Sequence, residues 1–244
     1  MGKVQLAPLW SVAAGMAGLL AVSAVAHLSP PGWIAGAAYL LASNALLARG
    51  LRRGGSPHFG WANAATATRS TLVGLVTALV VTSFGSPVPV PLLIALTVPA
   101  LALDAVDGWI ARRTHTTSAL GARFDMEVDA WLILVLSAYV AQELGWWVLT
   151  IGAMRYSLLV AERLLPWLAN PVPPRFWRKV VAAYTGIALA VTASELFPEW
   201  VGLIATLVSL ALLLESFGRD VLWLAREHRG AGAQRFVRAS SSSG

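Results

Sequence analysis

Apolar runs of membrane length, separated by short turns, constrain this chain before any other feature does. A helix needs about 20 apolar residues to cross a bilayer. Eight candidate stretches meet or approach that length, at residues 7–28, 32–49, 64–84, 88–107, 126–144, 146–166, 180–196 and 199–222. Turn-forming sequences punctuate them, with SPPG at 29–32, GSPVPVP at 85–91 and NPVPP at 170–174. The second and seventh are short, as tilted or partly interfacial spans are. Only 12% of the 244 residues are charged, against about 25% in soluble domains. The sequence therefore predicts an all-α polytopic membrane protein. With no cysteine in the chain, a disulfide framework and a thiolate metal site are both excluded.

The charges that remain set an orientation. Lys3, Arg49, Arg52, Arg53, Arg112, Arg113, Arg123, Arg163, Arg175, Arg178, Lys179, Arg219, Arg226 and Arg229 all fall on one side of the eight-span arrangement. The opposite turns, near 29–32, 85–91, 142–147 and 195–200, carry no Lys or Arg and hold Glu143, Glu195 and Glu199. By the positive-inside rule both termini are predicted to be cytoplasmic, in a multi-pass protein of the plasma (cytoplasmic) membrane. The net charge of +6 is spread through these short segments as topology signals and lipid-headgroup contacts, so nucleic acid is not an expected partner. Lys3, the first apolar run and AVA at 24–26 have the outline of a signal peptide, but the run is long for one and an uncleaved first helix is expected. The polar, low-complexity residues 229–244 are expected to form a disordered tail.

No Asp or Glu precedes residue 104; then Asp104, Asp107, Asp125, Glu127 and Asp129 follow in one short segment. Each ionisable group at membrane depth costs about 2.5–3.5 kcal/mol on insertion scales, and like charges crowd one another further, so something must compensate. Asp104 and Asp107 share a face at the end of the fourth span by i, i+3 spacing, and Asp125 and Asp129 share a face at the start of the fifth by i, i+4. The polar turn between them, with Thr117 or Ser118 as a helix cap, predicts antiparallel neighbours whose carboxylates converge. Four hard oxygen donors suit Mg²⁺ or Mn²⁺ and not zinc. They are enough for two ions about 3.5–4 Å apart, the arrangement used for displacement at phosphorus. Gly108 and Gly121 remove side chains beside the acids, which a closely approaching ligand would justify. Arg112 lies one turn beyond Gly108, within reach of a phosphate. An isolated pair of carboxylates at a membrane edge is more often a solvated helix end; the whole constellation is not.

The full spacing, D-x-x-D-G-x-x-A-R-x(8)-G-x-x-x-D-x-x-x-D, is met by Asp104, Asp107, Gly108, Ala111, Arg112, Gly121, Asp125 and Asp129. It resembles the signature of the CDP-alcohol phosphatidyltransferase family at every fixed position. ANAATATR, with Asn63, Thr66 and Arg69, resembles the start of that family's first core helix, a shorter motif equally readable as a polar interfacial helix start. The resemblance implies a six-helix membrane core with two additional N-terminal transmembrane helices. The corresponding division is 1–56 for the two extra helices, 57–228 for the catalytic domain and 229–244 for the tail. It further implies transfer of a phosphatidyl group from CDP-diacylglycerol or a related CDP-linked lipid to the hydroxyl of a polar alcohol, with release of CMP and with Mg²⁺ or Mn²⁺ as cofactor. Asp104, Asp107, Asp125 and Asp129 would hold the metal, Asp129 would also be the general base, and Gly108, Ala111, Arg112, Gly121, Asn63, Thr66 and Arg69 would line the CDP site. Membrane lipids and a second copy of the chain, as a homodimer, are the implied partners. After the third aspartate the chain reads DMEVDA, where phosphatidylglycerophosphate synthases commonly read D-P-x-x-D-K and phosphatidylinositol-type enzymes often read D-S-x-x-D-R, so the acceptor stays unassigned. Glu127 is expected to point away from the two aspartates beside it.

Two other classes fit less well. Membrane prenyltransferases hold their acidic motifs on more widely separated helices, and a transporter or scaffold would spread acids through several spans. His27, His58 and His228 are isolated, His115 lies in the cytoplasmic turn, and the eleven tryptophans fall mainly near span ends, as an aromatic belt does. Arg155 lies near the middle of the sixth span, roughly 15 Å from either interface, and must face a partner or a water-filled cavity. Two readings stand side by side: Arg155, with Arg163 and Arg178, holds a phosphate on the acceptor, or Arg155 snorkels or pairs with Glu162.

Overall fold

The computed structural model describes residues 7–54, 61–114, 119–170, 172–173 and 175–241, and the side chains of 10–49, 67–103, 124–170, 172–173 and 175–229. Among the described residues the chain is all-helical and without strands. The helices are α1 Ala7–Ala26, α2 Pro30–Gly54, α3 Trp61–Ser83, α4 Val90–Thr114, α5 Ala119–Leu144, α6 Leu149–Leu164, α7 Phe176–Ala193 and α8 Glu199–Ser241. Each of the eight apolar runs corresponds to one helix. The breaks follow local chemistry. Pro30 opens α2 and Pro198 immediately precedes α8, positions where a missing N–H costs nothing. Gly145 takes a positive φ of 101° between α5 and the single 3-10 turn Trp146–Val148, a conformation open to glycine at little cost.

α4 and α5 run past the apolar stretches that announced them, so both carboxylate pairs lie inside helices. The expected cap at Thr117 or Ser118, and His115, lie outside the described residues. α8 continues to Ser241, into the segment expected from the sequence to be a tail. Ala, Gln and Arg are good helix formers, and a helix already nucleated by an apolar span extends at little cost per residue.

α3 is the hub of the bundle, packing against α1, α2, α4 and α5, while α5 also packs on α6 and α7. Among the described residues α4 and α5 each pack on α3 and α7; the expected convergence of their carboxylate-bearing ends involves the side chains of residues 104–123, which lie outside the described ones. Small residues allow the close approaches. A Cβ on Gly152 of α6 would overlap the Leu134 backbone of α5, and one on Gly32 of α2 would sit 2.7 Å from the Ala78 carbonyl oxygen of α3. Without water to drive association, such close packing and interhelical hydrogen bonds hold helices together in lipid.

Polar rungs fix α3 against α5 along their length. Arg69 Nη2 donates to the Asp125 carbonyl (3.0 Å), Trp131 Nε1 to Thr77 Oγ1 (3.0 Å) and Gln142 Nε2 to Ser83 Oγ (2.9 Å). Both series ascend in residue number, so the two helices run parallel. Buried hydroxyls at Thr77, Thr82, Thr185 and Thr192 each donate to the carbonyl four residues back, which satisfies them inside an apolar bundle. The outer surface is apolar: Leu20, Ile34, Leu41, Ile187, Ile204 and Leu214 are each more than half exposed. In water this would be an extended sticky patch; in lipid it is an ordinary surface. Pro30–Arg49 and Glu199–Arg229 are each long and apolar enough to cross a bilayer unaided, with shorter apolar helices at Trp10–Ala26, Ala67–Ser83 and Val90–Leu103.

Candidate active site

The centre is built from α3 and α5. Arg69, in the third turn of α3, is the largest fully buried side chain among the described residues, with 0% exposure. A buried guanidinium carries a desolvation penalty of several kcal/mol and persists only where partners surround it. α5 supplies them. Arg69 Nη2 forms an ion pair with Asp125 Oδ1, lies 3.3 Å from Asp129 Oδ1, and donates to the Asp125 carbonyl. The i, i+4 spacing of the aspartates places both on the helix face toward α3, so one cation serves both. Each aspartate side chain keeps 36% exposure. The centre is thus anchored from inside by an arginine and open on its other side.

Asp104, Asp107, Gly108, Ala111 and Arg112 occupy the C-terminal half of α4, Gly121 the first turn of α5, and Asn63 and Thr66 the first two turns of α3. The side chains of these residues lie outside the described ones, so of the expected carboxylate set the geometry covers Asp125 and Asp129. These two fit a divalent cation: they are hard oxygen donors, one turn apart on one face, held by a common cation and still partly exposed.

Glu127 points the other way. Two residues from each aspartate, it is turned by about 200° at 100° per residue, toward α6. There Arg155 Nη2 donates to Glu127 Oε1 at 2.9 Å, with the side chains 27% and 43% exposed. Arg155 therefore pairs with Glu127 and not with Glu162. Glu162 is seven residues along the same helix, about 10 Å in rise, whereas the close contact at Gly152 brings α5 within reach. Arg163 is exposed, and its Nη1 lies 3.5 Å from the Leu159 carbonyl oxygen of its own helix. Arg178 Nε pairs with Asp220 Oδ2 of α8 at 3.0 Å, and Arg175 Nη1 lies 3.8 Å from Asp220 Oδ1. Asp220 was not singled out from the sequence. Its signal is there in retrospect: an acid at the charged end of the long apolar eighth run, opposite a loop bearing two arginines.

A helical bundle with an apolar outer surface and a charged centre of Arg69, Asp125 and Asp129 has the character of a membrane protein with an ionised site within it. A family model, CDP-alcohol phosphatidyltransferase, matches residues 59–214, and the chain belongs to that family. Comparison with curated proteins and with solved structures gave no match. Membership makes the chain a phosphatidyltransferase of lipid biosynthesis, in a family of polytopic membrane enzymes that are generally metal-dependent and act on CDP-linked lipids and alcohols. The match takes in Arg69 and every residue of the signature, and leaves α1 and α2 outside.

Proposed function

We propose that the protein transfers a phosphatidyl group from CDP-diacylglycerol, or a related CDP-linked lipid, to the hydroxyl of a polar alcohol and releases CMP. The observation that carries this reading is the buried Arg69 shared by Asp125 and Asp129, two of the four signature aspartates. Asp104, Asp107, Asp125 and Asp129 would hold Mg²⁺ or Mn²⁺, in the two-ion form. When bound, the metal supplies positive charge for the pyrophosphate and for the departing CMP. Asp129 takes the proton of the acceptor hydroxyl as that oxygen attacks the β-phosphorus; the bond from the β-phosphorus to the bridging oxygen breaks, and CMP leaves with the electron pair. Gly108, Ala111, Arg112, Gly121, Asn63 and Thr66 would line the CDP site.

For the acceptor, Arg155 and Arg178 meet a phosphate only by exchanging a carboxylate partner, Glu127 or Asp220. Arg163 has no carboxylate partner among the described residues and is the acceptor contact we put first. The proposal extends to a homodimer with eight spans, both termini and the active site on the cytoplasmic side of the plasma membrane. Residues 1–56 would be two added spans and 57–228 the catalytic domain. The test is CMP release by the purified protein from CDP-diacylglycerol with a panel of alcohols. Release that needs one of the alcohols, stops with chelator and returns with Mg²⁺ or Mn²⁺ is expected. No release with any alcohol overturns the reading.

A further inference from the structure

The two N-terminal helices lie outside the family-matched segment, yet one of them reaches the centre. α2 packs along α3 and also touches α5. The contact with α5 is aromatic: Tyr39 stacks on Trp131, with ring centroids 5.6 Å apart and planes inclined by 21°. Trp131 is two residues beyond Asp129 and is pinned from its other side by the bond from its Nε1 to Thr77 Oγ1 of α3. One indole thus ties α5 to α2 and α3 together. Asp129, together with Asp125, is in turn held by Arg69 of α3, so the stack on Trp131 bears on the stretch of α5 that carries the site.

We propose that Tyr39, carried by the N-terminal hairpin, is a positioning residue for the transfer site. Its ring sets α5 against α3 through Trp131, and so keeps Asp125 and Asp129 in register with Arg69. The hairpin is then a part of the active-site wall and not an accessory anchor. This inference rests on the reading of Arg69, Asp125 and Asp129 as part of the transfer site.

The test uses the full chain, purified in micelles, with CMP release from CDP-diacylglycerol as the assay. Tyr39→Ala removes the ring from Trp131, and Tyr39→Phe keeps the stack. Tyr39→Ala is expected to lower kcat roughly 3- to 10-fold, the scale of an aromatic pair, with the KM for the CDP-lipid unchanged, and Tyr39→Phe is expected to retain the parent kcat. Combined with Trp131→Leu, Tyr39→Ala should lower kcat no further, because it acts through the indole; independent contributions would multiply. Full kcat in Tyr39→Ala, a loss in Tyr39→Phe equal to that in Tyr39→Ala, or effects that multiply in the double variant, overturns the positioning role. If instead the parent chain releases no CMP, or Asp129→Asn releases it as fast as the parent, the underlying reading of the site fails, independently of Tyr39.

Discussion

The two faces of α5 carry the same kinds of group to opposite ends. Toward α3, Asp125 and Asp129 share one fully buried arginine, with about a third of each carboxylate side chain exposed. Toward α6, Glu127 meets Arg155 one to one at 2.9 Å, and the charges cancel. The first arrangement is poor as a device for stability, since like charges are held together beside a costly buried cation. With two hard-oxygen carboxylates on one face and part of each exposed, it makes sense as a site that binds a cation. The second needs no ligand, because each charge already has its counterion. Counting acids in the DMEVDA segment treats Glu127 as equal to its neighbours; the helix separates it from them by half a turn.

The comparison can be broken most sharply at Asp129. Asp129→Asn should lower kcat by about 10²- to 10⁴-fold, the range for loss of a general base, while the protein still inserts and folds; CMP-release kinetics on purified variant decide this. Arg69→Met comes next. It leaves two carboxylates beside an empty position and should cost about 3–5 kcal/mol of stability, as breaking buried ion pairs does, read as a loss of unfolding free energy in micelles. Adding Asp125→Asn to it should recover part of that loss.

The opposite face should respond far less. Glu127→Gln and Arg155→Ala should each cost about 1 kcal/mol or less, since the pair is partly exposed, and should leave kcat and the acceptor's KM unchanged. A strongly raised acceptor KM in Arg155→Ala, absent from Glu127→Gln, would show instead that Arg155 exchanges Glu127 for an acceptor phosphate.

Much of this was legible in the sequence because it is local. Apolar runs and proline-rich turns located eight helices, and i, i+4 spacing put Asp125 and Asp129 on one face with Glu127 turned away. What was not legible depends on which helix packs against which. Arg69 stood out only in a short motif, and its grip on two aspartates 56 and 60 residues away follows from the parallel packing of α3 on α5. The partner of Arg155 was sought on its own helix and lies on α5. Asp220 gains meaning only when α7 brings Arg175 and Arg178 to it.

The central claim is that the α3-facing carboxylates of α5 form a cation site and the α6-facing one does not. Binding of Mn²⁺ to the purified full-length protein, followed by electron paramagnetic resonance without substrate, tests it directly. The account predicts equal affinity in the parent protein and Glu127→Gln, and affinity weaker by at least about 10-fold in Asp125→Asn and Asp129→Asn, the scale on which metal sites respond to altered ligation. Parent-like binding in both aspartate variants, or an equal loss in Glu127→Gln, would contradict it.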